Sequence, residues 1–159
     1  RAPDMASVEA AVAAASAPLG EGGGGIEAIR AALYAAMWDD AGVIRDAAGL
    51  KRAAAKLDDL DAELDRARVP SAPRQFNMAW QDWLNLKNLV LTSRAVVAAA
   101  ITREDSCGAH FREDFPVEAD PEKASFTEAR MAGRDIRIAR MPVAFTRVKP
   151  GQSLLKGAA

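Results

Sequence analysis

Cys107 and His110, the only cysteine and the only histidine of this 159-residue chain, stand three positions apart in the stretch TREDSCGAHFREDFP, Thr102 to Pro116. A thiol and an imidazole at that spacing are the ingredients of nucleophilic catalysis or of half a metal site. The nucleophile pair requires both groups within hydrogen-bond reach, an orienting third group and an oxyanion site. Nearness in sequence supplies none of these. Structural zinc requires four ligands, and the sequence has no second Cys/His cluster. Glu104, Asp105, Glu113 and Asp114 offer carboxylates, but the two Arg-Glu-Asp triplets set them beside Arg103 and Arg112, where ion pairing suits them better. The residues favour a charged corner. Gly108 can adopt positive φ and close the preceding helix, and the tight loop after it gathers Arg103, Glu104, Arg112, Glu113 and Asp114. No residue is assigned as catalytic, cofactor-binding or metal-binding.

Two other features invite a chemical reading. GEGGGG, Gly20 to Gly25, matches the spacing GxGxxG. A dinucleotide fingerprint needs a strand before it and a helix N-terminus to receive the pyrophosphate. An alanine-rich helical segment precedes this one, so it reads as a flexible linker. Trp80 and Trp83 share a helical face. They could stack on bases or sugars, but without a basic surround core packing is the expectation.

The elements that must position these groups are helical. Alanine is frequent and β-branched runs are scarce before Ile136, which favours helix. The segment DMASVEAAVAAASAPLG is a weakly amphipathic leading helix, with Asp4 or Ser7 as N-cap and a stop at Pro18 and Gly20. IEAIRAALYAAMWDDAG places Ile26, Ile29, Leu33, Met37 and Trp38 on one stripe. VIRDAAG reads as a connector. LKRAAAKLDDLDAELDRARV then repeats apolar positions at Leu50, Ala53, Leu57, Leu60, Leu64 and Ala67, the three-four spacing of a helix packed nearly antiparallel on a neighbour. PSAP, Pro70 to Pro73, is a turn. In the next helix Phe76, Trp80, Trp83, Leu84, Val90, Leu91, Val97 and Ile101 spread around the axis, so it is central. After Pro116, alternation at Phe126, Glu128, Arg130 and at Ile136, Arg137, Ile138, with a turn at MAGRD, predicts a β-hairpin and an extended tail. A lone hairpin is marginal in water, so it should lie against the helices or other protein.

Half of the residues are hydrophobic, 27% are charged and the net charge is −1, the composition of a soluble globular domain. Near-neutral charge gives no reason to expect nucleic acid or an anionic membrane as partner. No apolar run is expected to span a bilayer. The start, RAPDMASVEA, lacks the pattern of a signal peptide. A single cysteine excludes an internal disulfide and fits a reducing cytosol.

The charged stretch also resembles a known signature. REDSCGAHFREDFP is similar to the R-x-E-S-R-G-A-H-x-R-E-D-F/Y-P run of succinate dehydrogenase and fumarate reductase flavoprotein subunits, of which L-aspartate oxidases carry a related version. LYAAMWDDAGVIRDAAGL, LNLKNLVLTSRAVVAAAITRE and RMPVAFTRVKP resemble further stretches of that family, so the likeness covers about Gly25 to Pro150. The resemblance implies a mainly α fold: a three-helix bundle, spectrin-repeat-like with a left-handed twist, with a leading helix and a C-terminal β-hairpin and tail. The expected division is 1–25 leading helix and linker, 26–116 bundle and charged loop, 117–159 hairpin and tail.

It further implies FAD in the full-length protein but no cofactor in this chain, because the family's flavin and substrate residues belong to FAD-binding and capping domains that precede this region. Those domains are the implied partners, with an iron–sulfur subunit as a further one, and with neither nucleic acid nor direct membrane insertion. The implied location is cytoplasmic, with the cytoplasmic face of the inner membrane as the place of a complex. Arg103, Glu104, Cys107, Gly108, His110, Arg112, Glu113 and Asp114 are structural or interface candidates. Cys107 stands where the family usually has arginine, which removes a forked cation and leaves Arg103 or Arg112 to pair with neighbouring carboxylates. The alternative is a free-standing helical bundle that binds a protein partner, distinguished by the absence of an upstream FAD fingerprint.

Overall fold

A computed structural model describes residues 3–153 apart from 23, 71, 72 and 134. The helices are α1, Met5–Ser16; α2, Ile26–Asp39; α3, Ala47–Arg66; and α4, Met78–Thr102. Short strands join them: β1, Leu19–Gly20; β2, Ile44–Arg45; β3, Val69–Pro70; and β4, Phe111–Arg112. A hairpin of β5, Ser125–Ala132, and β6, Asp135–Pro142, follows. α2, α3 and α4 form the three-helix bundle, α1 leads it and the hairpin trails it.

The core follows from α3. Leu50, Ala53, Leu57, Leu60 and Leu64 are fully buried, against Ile29 and Leu33 of α2 and Trp83, Leu86, Val90 and Val97 of α4. Burying each such leucine stabilises by roughly 1.5–3 kcal/mol. The polar side of α3 meets α4 through ion pairs. Lys87 Nζ lies 2.5 Å from Asp61 and 2.8 Å from Asp65, and Arg94 Nε lies 3.1 Å from Asp58. Such partly exposed pairs add little energy, but they fix which turn of α3 faces which turn of α4.

α3 begins at Ala47, three residues before the Leu50 start read from periodicity. Asp46 explains the difference: its backbone is extended and its carboxylate accepts from the Gly49 amide at 2.5 Å. The expected connector is therefore half helix. Asp46→Ala is expected to cost about 1 kcal/mol, read as a lower urea midpoint at unchanged slope. A change below about 0.3 kcal/mol would mean the cap contributes nothing.

The helical stripes need correction at their edges. Trp38 is 83% exposed, because it stands about 180° around α2 from Ile29 at 100° per residue. Phe76 lies before α4, not within it, and is 97% exposed at φ 59°. Leu91 and Ile101 are exposed. α4 is the central helix, yet Leu89, Leu91 and Val96 on it are exposed, away from the buried core. It is also long and apolar enough to cross a bilayer by length and composition, with a mean hydropathy of 1.3. That corrects the reading that no such run exists. Its ion pairs to α3 and its buried inner side place it as the core helix of the bundle.

Both tryptophans of α4 serve packing. Trp83 is buried and donates Nε1–H to the Leu64 carbonyl at 2.9 Å, which ties down the last turn of α3. Trp80 donates to the Ala15 carbonyl at 2.7 Å and holds α1, none of whose residues is buried. β1 pairs in parallel with β3, and β2 with β4. Two-residue strands are too short for periodicity to reveal. The hairpin pairs from Ser125 opposite Pro142 to Ala132 opposite Asp135, with Gly133 at the turn. It lies on α4: Ile136 shares a small pocket with Val97, Ala98 and Ile101, and Arg140 reaches Asp105 at 3.0 Å. Ser71 and Ala72 of the predicted turn, Arg134 of the hairpin turn and the tail beyond 153 lie outside the described residues.

Candidate functional site

α4 ends at Thr102, and its last carbonyls have no partners within the helix. Arg112 supplies them. Its side chain is 3% exposed, and one terminal nitrogen donates to Ala100 O at 2.8 Å and Arg103 O at 3.0 Å. Its Nε and other terminal nitrogen form a fork onto Asp114, at 2.7 and 2.6 Å. The guanidinium also sits 5.0 Å from the Phe115 ring centroid. A cation is thus placed at the negative end of the α4 dipole. Asp114 completes the link by accepting from the Ala47 amide, at the positive end of α3, at 3.1 Å. The pairing with Arg112 holds the Asp114 carboxyl down at about 2. One ion pair therefore joins the end of α4 to the start of α3.

Ser106, also buried, locks the loop. Its hydroxyl accepts from the Arg112 amide at 3.0 Å and donates to Phe115 O at 2.8 Å. Arg103 forks onto one oxygen of Asp105, and Arg140 of β6 takes the other. Glu104 and the side chain of Glu113 are exposed; the Glu113 amide donates to Arg45 O at 2.8 Å. Gly108 has φ 56°, but it does not close α4. It lies in the tight turn across which Cys107 and His110 exchange backbone hydrogen bonds of 2.9 and 3.1 Å. The helix ends five residues earlier, at its Arg103 cap.

The backbone pairing puts the two residues opposite each other, but their side chains have different surroundings. Cys107 is exposed. His110 Nδ1 faces a terminal nitrogen of Arg45 at 2.7 Å, and Arg45 Nε also donates to the Ala41 and Gly42 carbonyls. Because arginine only donates, Nδ1 accepts and the imidazole is neutral, with its proton on Nε2. That atom is buried away from water. The imidazole is thus committed to Arg45 and is not a base for the thiol. Among the described residues no cluster of His, Cys, Asp and Glu could hold a metal.

Burial, reinforced by the Arg45 charge and opposed by the Arg103 backbone and by Asp105, holds the His110 pKa below 6.5. The unfolded chain then takes up the proton at a higher pH than the folded one. Stability is full above about pH 6.5 and declines as pH falls toward the folded value. The urea midpoint is expected to drop between about pH 7.5 and about pH 5.5. His110→Gln should flatten that drop, and since this is the only histidine, an unchanged drop would place its cause elsewhere.

The residues do not fit a flavin or dinucleotide. Gly20 lies in a two-residue strand paired only with β3, and a Cβ on Gly22, Gly24 or Gly25 would meet nothing within 4 Å. Among the described residues the loop makes no close approach that its glycines would serve, and the strand that leads into it is only two residues long. Periodicity and motif reading missed Arg45, Ser106 and Arg140 as members of the corner. Arg45 and Ser106 had a signal, since each lies in a stretch that resembles the family, LYAAMWDDAGVIRDAAGL and REDSCGAHFREDFP.

Comparison with known proteins places this geometry. Residues 30–154 match the family described as fumarate reductase flavoprotein C-term. The fumarate reductase flavoprotein subunit of Mycobacterium tuberculosis is 32% identical over 134 residues, 84% of this chain and 23% of that protein. The 8-methylmenaquinol:fumarate reductase flavoprotein subunit of Wolinella succinogenes is 39% identical over 88 residues, 55% of this chain and 14% of that protein. Among solved structures, Mycobacterium smegmatis Sdh1 in complex with UQ1 superposes with a TM-score of 0.77 at 26% identity, over 87% of this chain and 24% of that one. A quinol-fumarate reductase with menaquinol molecules shares the fold, with a TM-score of 0.79 at 23% identity, over 94% of this chain and 27% of that one. The chain thus spans only a minor part of the length of each relative.

Proposed function

Because the chain belongs to the C-terminal domain family of fumarate reductase flavoproteins, we propose that it is the non-catalytic helical support of an FAD-dependent oxidoreductase acting between succinate and fumarate. The charged corner supports this reading. Its arginines and its histidine are spent within the corner and on helix ends: Arg112 on Asp114 and two carbonyls, Arg103 and Arg140 on Asp105, and His110 on Arg45. Such a site stiffens a bundle and leaves hydride chemistry to another part of the polypeptide. FAD belongs to that other part, with its binding and capping domains as the first partners and an iron–sulfur subunit as a further one. The corner and the hairpin are the contacts assigned to them, in an interface of about 1,000 Å² or more.

The test is the visible absorption of this chain and of the full-length flavoprotein, each incubated with FAD and desalted. The expected result is flavin retained by the full-length protein and none by this chain. Stoichiometric flavin on this chain would put the cofactor site within it, and no flavin on the full-length protein would remove it from flavin chemistry.

A further inference from the structure

The largest side chains left open at one end of the bundle are apolar and adjacent. Tyr34 and Trp38 stand one turn apart on α2, line a common surface pocket, and are 57% and 83% exposed. The helix then ends against itself. A Cβ at Gly42 would come within 2.6 Å of the Trp38 carbonyl, so glycine is required there, and the chain goes straight on to Val43. Val43 and Ile44 are 65% and 62% exposed, and Ile44 pairs directly with Phe111, itself 38% exposed. Through Phe111 the apolar surface runs into the charged corner. Exposed apolar side chains gathered at the end of one helix and the loop that follows it, with aromatic residues among them, mark an interaction site.

We propose that Tyr34, Trp38, Val43, Ile44 and Phe111 form the seat on which the remainder of the same polypeptide, its flavin-bearing part, packs with an apolar centre and a cationic rim. The proposal rests on the function argued above. Its occupant follows from two observations. Most of each matched relative lies outside the region this chain covers, so a large body of the same polypeptide must pack somewhere on the domain. The rim of the patch is acidic: Asp39 borders the Tyr34–Trp38 pocket and the exposed Glu113 follows Arg112. A basic surface on the occupant would satisfy those carboxylates.

Hydroxyl-radical footprinting of the full-length flavoprotein, purified without other subunits, tests the seat. Trp38 and Tyr34 are expected to oxidise at least about tenfold more slowly than in the same protein unfolded in urea, as at the water-excluded centre of an interface. Oxidation of both within about twofold of the unfolded rate would overturn the proposal. So would protection that appears only at raised protein concentration, which assigns the face to a second copy, or only when other subunits are added, which assigns it to one of them. The flavin content of the same sample is read separately: a protected Trp38 in a flavin-free protein would keep the intramolecular seat and sink the redox function.

Discussion

Replacing Arg112 with alanine is expected to lower the unfolding free energy by about 3–5 kcal/mol. The guanidinium is almost wholly buried and satisfies four acceptor positions: two on Asp114, one on Ala100 and one on Arg103. Without it the two carbonyls at the end of α4 lose their partner, at about 1–3 kcal/mol each when left unsatisfied. Asp114 loses its fork and Phe115 its cation. Arg112→Lys should recover only part of the loss, because an ammonium cannot reproduce a planar fork onto a carboxylate while also reaching both carbonyls. Urea unfolding followed by circular dichroism reads the effect, and hydrogen exchange should show the last turn of α4 and the first turn of α3 opening together. A loss under about 1 kcal/mol would mean that water replaces the guanidinium and that the corner is not a clamp.

The corner also shows what a linear sequence reveals and what it hides. The two Arg-Glu-Asp triplets suggested local ion pairing, and Arg112 with Asp114 and Arg103 with Asp105 are indeed two-residue neighbours. Their second partners are distant in sequence. Ala47 on Asp114, Arg45 on His110 and Arg140 on Asp105 are brought in by the antiparallel return of α3 on α4, by the β2–β4 pair and by the hairpin. No spacing rule encodes such contacts. Gly108 was misread for a related reason: a glycine soon after a helix looks like its cap, yet here a side chain ten residues beyond the helix caps the carbonyls, and the glycine is free to shape the turn between Cys107 and His110.

The bundle was more legible than the corner because burial follows periodicity. Leu50, Leu57, Leu60 and Leu64 of α3 are each buried as the three-four spacing requires. The pattern was weaker in α2 and α4. Alanine-rich α2 offers few large groups to define a stripe, so Trp38 was drawn into one it does not share. α4 is apolar on sides that do not face α2 or α3, so hydrophobicity alone could not separate inner from outer positions. Phe76 illustrates the limit at an element boundary. Asn77 caps α4, its side chain accepting from the Trp80 amide at 3.0 Å, and the residue before the cap turns away from the core.

That inner-outer distinction on α4 makes the second large prediction. Trp83→Ala is expected to cost about 3–5 kcal/mol, whereas Leu91→Ala, on the same helix, should cost less than about 1 kcal/mol. Both residues belong to the apolar set that made α4 look central. Trp83 is 6% exposed and donates to Leu64 O, while Leu91 is 37% exposed. Truncating Trp83 leaves a cavity between α3 and α4 and strips the Leu64 carbonyl, at the end of α3, of its donor. Truncating Leu91 removes surface that water already reaches. The pair is measured by equilibrium urea unfolding of both variants, with circular dichroism at the helix band so that the lost tryptophan does not alter the probe. Equal and large losses would mean that the outer side of α4 is packed in solution, either by another copy or by a different arrangement of the hairpin. Equal and small losses would mean that the α3–α4 interface is not the core, and with it the whole reading of the bundle would fall.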